Sequence, residues 1–430
     1  MKYKALLAAV VVVISVVVGA GGRDARAVPL PGNTAQQWDK IAEDTVVASG
    51  AFQNEGLIYM AYVTNAMYGA VSPGERKGQD SEAALIEAAY ATLVHYFPAQ
   101  AAKLDTLHGE ALAVLPDSQA KVVGIRYGAL AAAKEIADRE GDGLQTPIAS
   151  TSFFPTRAPG PGVWRLTPPA YLAPQTPWVA HVRPFILNSA DQFLPPPPPS
   201  LSSQEWVDAF NEIKAHGSST NPNTTETSTA KFWTANVIRM YNELARDVAT
   251  ARSMDLAASA RLFAMVNTLG ADAQISCMFA KYHYLFWRPV TAIDPTSVTN
   301  DGFGPTPGYE DGNPATVEQP GWRPLVTTPN HPEYPSAHGC LTGAEAQLFA
   351  DVQGTEAINL GIHGFDPAGP TGNLNAVHHF ATADDLRAEI VNARVWGGLH
   401  YRFSVEAGLK LGTEVAQYDL VHAFLGNDDK

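Results

Sequence analysis

MDLAASARLFAMVNTLGADAQISCMFAKYHYLFWRP, residues 254–289, decides the fold. Its Ala-rich composition and helix-period spacing predict one long helix from Met254 to Trp287, with Pro289 stopping it. Downstream, residues 292–334 are dense in Pro, Gly, Asn and Asp and predict a long loop of the kind that surrounds binding sites. Two more helices are expected at Ser336–Val352 and about Thr382–Leu425, the second interrupted near Gly397-Gly398, with a short hairpin within Gly354–Gly372. Upstream, Ser203–Ala215 and Thr227–Val248 read as helices, with Ser202 or Ser203 as the cap of the first. Residues 146–199 form a Pro-, Thr- and Ser-rich surface excursion closed by the run Pro195–Pro199. From Thr34 to about Arg139 helical spacing dominates again, as at Ala83–Tyr96 and Ser118–Ala137. With no repeats and little strand signal, the class is all-α, a helical bundle with long irregular loops. The expected division is a helical region over 28–200, including the Pro-rich excursion, and a helical catalytic region over 201–430.

Lys2 and Lys4, an apolar run from Ala5 to Ala20, and Ala25-Arg26-Ala27 have the form of a cleaved secretory leader over residues 1–27, so export to the periplasm or the cell exterior is expected. The run is short for a spanning helix. A hydrophobic fraction of 46% supplies a full core, and a net charge of -14 argues against nucleic acid or an anionic membrane as partner. Cations gathered in such a chain are therefore informative. Only Cys277 and Cys340 occur, which excludes a disulfide scaffold and leaves one bridge or two buried thiols open.

Three segments carry chemistry. In the first, Lys281 and Arg288 lie seven positions apart, so in one helix they would return to nearly the same face and converge on one anion. The plainer alternative is two surface cations, but the Tyr282, Tyr284, Leu285, Phe286 and Trp287 around them make an apolar setting in which an unpaired cation is costly. In the second, HPEYPSAHG at 331–339 leads directly into a helix whose first-turn N–H groups form an anion seat, to which Ser336 adds a hydroxyl. Here the plainer alternatives are Ser336 as a simple N-cap and His338 as a core histidine. In the third, Arg394 and His400 would stand about 120° apart on an unbroken helix, so they share a pocket only from two sides or through a bend at the glycine pair. A kink with a surface arginine is the alternative.

Together and in this order, Lys-x6-Arg-Pro, Pro-Ser-x-His and Arg-x5-His resemble the tripartite signature that vanadium-dependent haloperoxidases share with the type 2 phosphatidic acid phosphatase superfamily. The flanking Phe286-Trp287 and Tyr334 look more like the haloperoxidases than the small membrane phosphatases. The resemblance is close over the last third of the chain. It implies a vanadate cofactor with His400 as the vanadium ligand. Lys281, Arg288 and Arg394 fall at the cations that hold vanadate oxygens, Ser336 at the hydroxyl, and Ala337 at a backbone N–H donor usually supplied by glycine, a contact alanine keeps when its φ is negative. His338 matches the acid–base histidine, and Lys281 the group that polarises peroxide for attack by halide. The implied partners are hydrogen peroxide and a halide, with a small organic acceptor and a homo-oligomer both left open. His331, five residues before Ser336, matches the histidine of bromide-oxidising members and favours bromide or iodide over chloride; a loop histidine capping a turn is its plainer alternative. Ser404 stands where the superfamily often has an aspartate, which leaves Glu406 or a backbone carbonyl to orient His400.

Phosphate shares vanadate's shape and charge, so the same residues also describe an acid phosphatase with His400 as nucleophile and His338 as the acid protonating the leaving group. A non-catalytic oxyanion-binding protein is the third reading, and it needs neither His338 nor His331.

Overall fold

Helix α9 (Leu256–Tyr284) runs through the interior of the computed structural model and is buried along nearly its whole length from Ser259 to Lys281, as expected of a helix that is apolar on all sides. The structure describes residues 30–72, 78–148, 160–298, 311–364 and 376–424. The leader expected at 1–27 lies outside the described residues, among which no helix is long and apolar enough to cross a membrane.

Asp255 caps α9 by accepting from the Ala258 N–H at 2.8 Å. Around α9 pack α2 (Gln53–Val71), α8 (Val237–Ala251), α11 (Ala337–Gln353) and α13 (Arg402–Asp419). An outer layer adds α1 (Thr34–Ala48), α3 (Ser81–Tyr96), α4 (Ala101–Ala113) and α5 (Gln119–Arg139), where α3 and α5 lie against each other. Helices α6 (Gln204–His216), α7 (Thr224–Phe232) and α12 (Ala383–Trp396) complete the bundle, and residues 32–430 form one compact unit. The fold is all-α apart from one antiparallel pair, β1 (Leu360–Gly364) and β2 (Ala376–Phe380), in the register Ile362 opposite His378. The hairpin expected within 354–372 therefore begins there, but its second strand lies beyond; residues 365–375 are outside the described set.

Three expectations need correction. The helix expected from Met254 to Trp287 stops at Tyr284, where Leu285 turns left-handed at φ 50°. Leu285 then packs with Trp164, while Phe286 and Trp287 join Trp206 and Tyr401 in a separate aromatic cluster. One helix face cannot reach both clusters, so the chain leaves the helix. Pro289 terminates nothing; it opens the short helix α10 (Pro289–Ile293), of which Arg288 is the N-cap residue, a position where proline's missing N–H is harmless. The single helix expected over 227–248 is two, α7 and α8, with Asn236 capping the second through the Ile238 N–H.

Candidate active site

Because α9 ends early, Lys281 and Arg288 do not share a helix. Lys281 lies in the last turn of α9 and Arg288 just before α10, so the two-turn geometry expected for them is absent. They meet across the loop that follows instead. Buried Lys281 donates from Nζ to the carbonyls of Pro332 and Glu333, each at 3.0 Å. Buried Arg288 donates from Nε to the His331 carbonyl at 2.9 Å and from Nη1 to the Leu399 carbonyl at 3.0 Å. The same guanidinium reaches His331 Nδ1 at 3.0 Å and His400 Nε2 at 3.2 Å. Both basic residues thus pin the 331–333 backbone, and Arg288 ties it to the third segment.

Arg288 can only donate, so His400 Nε2 accepts and the imidazole proton sits on Nδ1. That Nδ1–H donates to Glu333 Oε1 at 2.9 Å, and Oε1 also accepts from the Tyr401 N–H at 3.1 Å. Glu333 is therefore the residue that orients His400. This overturns the expectation of Glu406 or a backbone carbonyl: Glu406 is exposed on α13, beside Arg402 and Glu212. Ser404 donates to the Glu333 carbonyl at 3.4 Å. Glu333 lies inside the quoted second segment but was not singled out there; the signal that could have found it is a lone acid in an apolar stretch, which needs a partner once buried.

Ser336 is the N-cap of α11, accepting from the Gly339 N–H at 3.4 Å, and Ala337 is the first helical residue with negative φ. The Ala337 carbonyl is engaged by Gln274 Nε2 at 2.9 Å. On α12, Arg394 donates from Nη1 to the Trp233 carbonyl at 3.4 Å. The chain then bends at the glycine pair. Gly398 has φ 74°, and any Cβ on it would overlap the Gly217 carbonyl, so the bend requires glycine. The bend returns the His400 N–H to the Arg394 carbonyl at 3.4 Å, which places both residues on one wall.

That wall belongs to a cavity of about 170 Å³ lined by His331, Ala337, His338, Arg394 and His400 on its polar side and by Phe52, Leu57, Trp233 and Leu341 on its apolar side. Lys281, Arg288 and Ser336 are not among the lining residues: Arg288 touches the lining through His331 and His400, Ser336 precedes Ala337, and Lys281 holds the Pro332 and Glu333 carbonyls. Among the residues that line the cavity, two buried side-chain atoms have no hydrogen-bond partner, His338 Nε2 and Arg394 Nε. The other ring nitrogen of His338 faces the Trp233 carbonyl, so its proton sits there and Nε2 is bare. Burial pushes Lys281 down to about 8, with Arg288 lowering it further against the opposing pull of Cys277 and Glu333. Burial, reinforced by Arg288, lowers Arg394 to about 9. Arg288 is lowered by burial to about 10 and partly rescued by Glu333. Burial and then the neighbouring cations hold His331, His338 and His400 well below the usual imidazole value, hence neutral. Glu333 is raised by burial to about 7 against Arg288 and Lys281. No group of three or more His, Cys, Asp or Glu side chains that could hold a metal ion occurs among the described residues. One bare imidazole nitrogen amid desolvated cations suits an oxyanion, not a naked cation.

Cys277 and Cys340 are free, buried thiols in hydrogen-bonding contact with each other, and Cys277 Sγ lies 3.8 Å from the Pro335 carbonyl.

Residues 261–425 match the family described as the VCPO second helical-bundle domain. The chain is 27% identical over 282 residues to vanadium chloroperoxidase of Curvularia inaequalis, across 51% of this chain and 44% of that protein; it thus spans less than half the length of this curated relative. A solved structure of the first bacterial vanadium-dependent iodoperoxidase superposes with a TM-score of 0.71 at 22% identity, covering 93% of this chain and 100% of that one. A holo-type bacterial vanadium-dependent chloroperoxidase superposes with a TM-score of 0.63 at 17% identity, covering 89% and 93% of the two chains. The chain thus matches the VCPO second helical-bundle domain over residues 261–425 and shares along nearly its whole length the fold of solved vanadium-dependent haloperoxidases.

Proposed function

We propose that this protein is a vanadate-dependent haloperoxidase that oxidises a halide, bromide or iodide in preference to chloride, with hydrogen peroxide to a hypohalous-acid-like halogenating species. The observation that carries the reading is the tautomer of His400, whose Nδ1–H is held by Glu333 and whose Nε2 carries the lone pair and accepts from Arg288 at the cavity wall. A neutral imidazole fixed by a carboxylate is the form that ligates metal.

The donor set fits vanadate. Arg394 Nε is buried and without a partner, and Arg288 and Lys281 stand immediately behind the wall, so cationic charge that is costly in isolation is offset by an oxyanion. Arg394, Arg288, Lys281, the Ser336 hydroxyl and the Ala337 N–H would hold its oxygens, and His400 Nε2 its vanadium. When bound, vanadium(V) supplies Lewis-acid activation of peroxide without changing its own oxidation state. His338, neutral with an unpaired Nε2, would accept and hold a proton released by peroxide when it binds. Lys281 would supply positive charge beside the bound oxyanion. The apolar wall of Phe52, Leu57, Trp233 and Leu341 limits water around the reacting atoms. The preference for bromide or iodide rests on His331, which lines the cavity and receives a hydrogen bond from Arg288. The leader read at residues 1–27 supports export.

The test is to purify the protein free of metal, add orthovanadate and follow peroxide-dependent bromination of a phenol dye. Vanadate-dependent bromination that phosphate competes away supports the proposal. Cleavage of a phosphomonoester, inhibited by vanadate and with no halogenation, replaces it with an acid phosphatase using His400 as nucleophile. Chloride oxidised as fast as bromide removes the inference drawn from His331.

A further inference from the structure

Trp233 lies in the break between α7 and α8, is fully buried and lines the cavity. In that break no backbone N–H donates to its carbonyl, and two groups of the site use it instead. Arg394 Nη1 donates to it at 3.4 Å, and the protonated ring nitrogen of His338 faces it. The indole is fastened at its other end, where Nε1–H donates to Glu389 Oε1 at 2.9 Å. Glu389 lies on α12, five residues before Arg394 on the same helix. The same Oε1 is 2.7 Å from Nδ1 of His378 on β2, and the His378 ring stacks on Phe232 at 3.7 Å and 7°. A chain of contacts therefore runs from the hairpin through Glu389 and the Trp233 indole to the one carbonyl that both Arg394 and His338 address.

We infer that Trp233 is a positioning residue for the proposed reaction, its carbonyl selecting the His338 tautomer with a bare Nε2 at the cavity, and that Glu389 is the anchor that fixes this carbonyl. The physical need is plain. An imidazole with both nitrogens unconstrained divides between two tautomers, and the one carrying its proton on Nε2 cannot accept a proton from peroxide. An acceptor on the Nδ1 side removes that choice, provided the acceptor does not move. A carbonyl in a helix break moves unless something holds the residue, and here the indole N–H does so.

The kinetic part of this inference rests on the function proposed above, whereas the tautomer part does not. The experiment uses the full chain with ¹⁵N-labelled histidine, the His338 signals being assigned with a His338→Gln variant, in wild type, Glu389→Leu and Glu389→Gln. Gln retains an acceptor for the indole N–H and Leu does not. Expected are a proton on Nδ1 of His338 in wild type and Glu389→Gln, and a mixture of tautomers in Glu389→Leu. In the vanadate-loaded protein, kcat for halide oxidation falls about tenfold in the Leu variant, with KM for halide within about twofold, and Gln restores most of the loss, in line with the roughly 10–100-fold effects of groups that orient active-site residues. A Leu variant that melts with wild-type cooperativity and keeps the Nδ1–H tautomer overturns the inference, as does an equal loss in the Leu and Gln variants. A tautomer shift in Glu389→Leu, with no halide oxidation by any form including wild type, upholds the positioning role and defeats the proposed function instead.

Discussion

Single residues in this site are held in forms that water would not leave them in, and that makes them measurable. Lys281 is lowered to about 8 from an ordinary value of 10.5. Between those two values the unfolded chain binds a proton that the folded chain does not, so this group makes the anion-free protein more stable as pH rises through that window. An oxyanion seated among the cations restores their preference for charge and flattens the rise. Thermal melts across the window with and without phosphate should therefore converge at high pH, and parallel curves would contradict the site. His400→Ala should abolish vanadate-dependent halide oxidation while leaving the fold intact by circular dichroism. Glu333→Gln should weaken vanadate binding about tenfold or more in a calorimetric titration, because the carboxylate that fixes the His400 tautomer is gone. The cations and histidines were legible because each residue type in its motif has few other uses beside apolar neighbours. Glu333 was overlooked although it stands two residues after His331, since the search for a partner to His400 followed the helix downstream to Ser404 and Glu406, whereas the fold supplies one from 67 positions earlier in the chain. Trp233 gave no signal at all, because it acts through a carbonyl that every residue possesses.

At the scale of elements, helix content and order were readable from periodicity, and the ends of helices were not. The seven-residue spacing of Lys281 and Arg288 pointed to one face of one helix, yet the two converge because α9 stops between them and the loop from His331 folds back across both. What ended α9 is the demand of Leu285, Phe286 and Trp287 for two different aromatic clusters, a tertiary requirement that local spacing cannot express. Another contact of this kind joins α11 to α13. Gly343 and Gly412 let the helices approach until a Cβ on Gly412 would overlap the Cys340 carbonyl and one on Gly343 the Leu409 carbonyl. Gly412→Ala should therefore force the pair apart and cost about 1–3 kcal/mol in a urea melt, the usual range for overpacking. Since α11 is capped by Ser336 and carries His338 in its first turn, the same variant should also bind phosphate more weakly. Unchanged stability would mean that the seam has slack.

For the whole molecule, the cavity is a product of the complete fold. Its lining comes from the start of α2, the α7–α8 break, the loop before α11 and the α12–α13 bend, stretches separated by up to about 350 positions, so no fragment presents it. Binding should therefore count fully toward global stability, with phosphate at about 100 times its Kd adding about 2.7 kcal/mol. The two thiols belong at this scale too. A thiol reagent should find neither Cys277 nor Cys340 in the native protein and both after denaturation, and rapid native labelling would contradict their enclosure between α9 and α11. The proposed reaction releases a strong oxidant, which requires the most oxidisable groups to be out of reach, and the two thiols are fully buried. Endurance during turnover then depends on how often this interface breathes, so inactivation in peroxide and bromide should keep pace with amide exchange along the inner turns of α9 and α11.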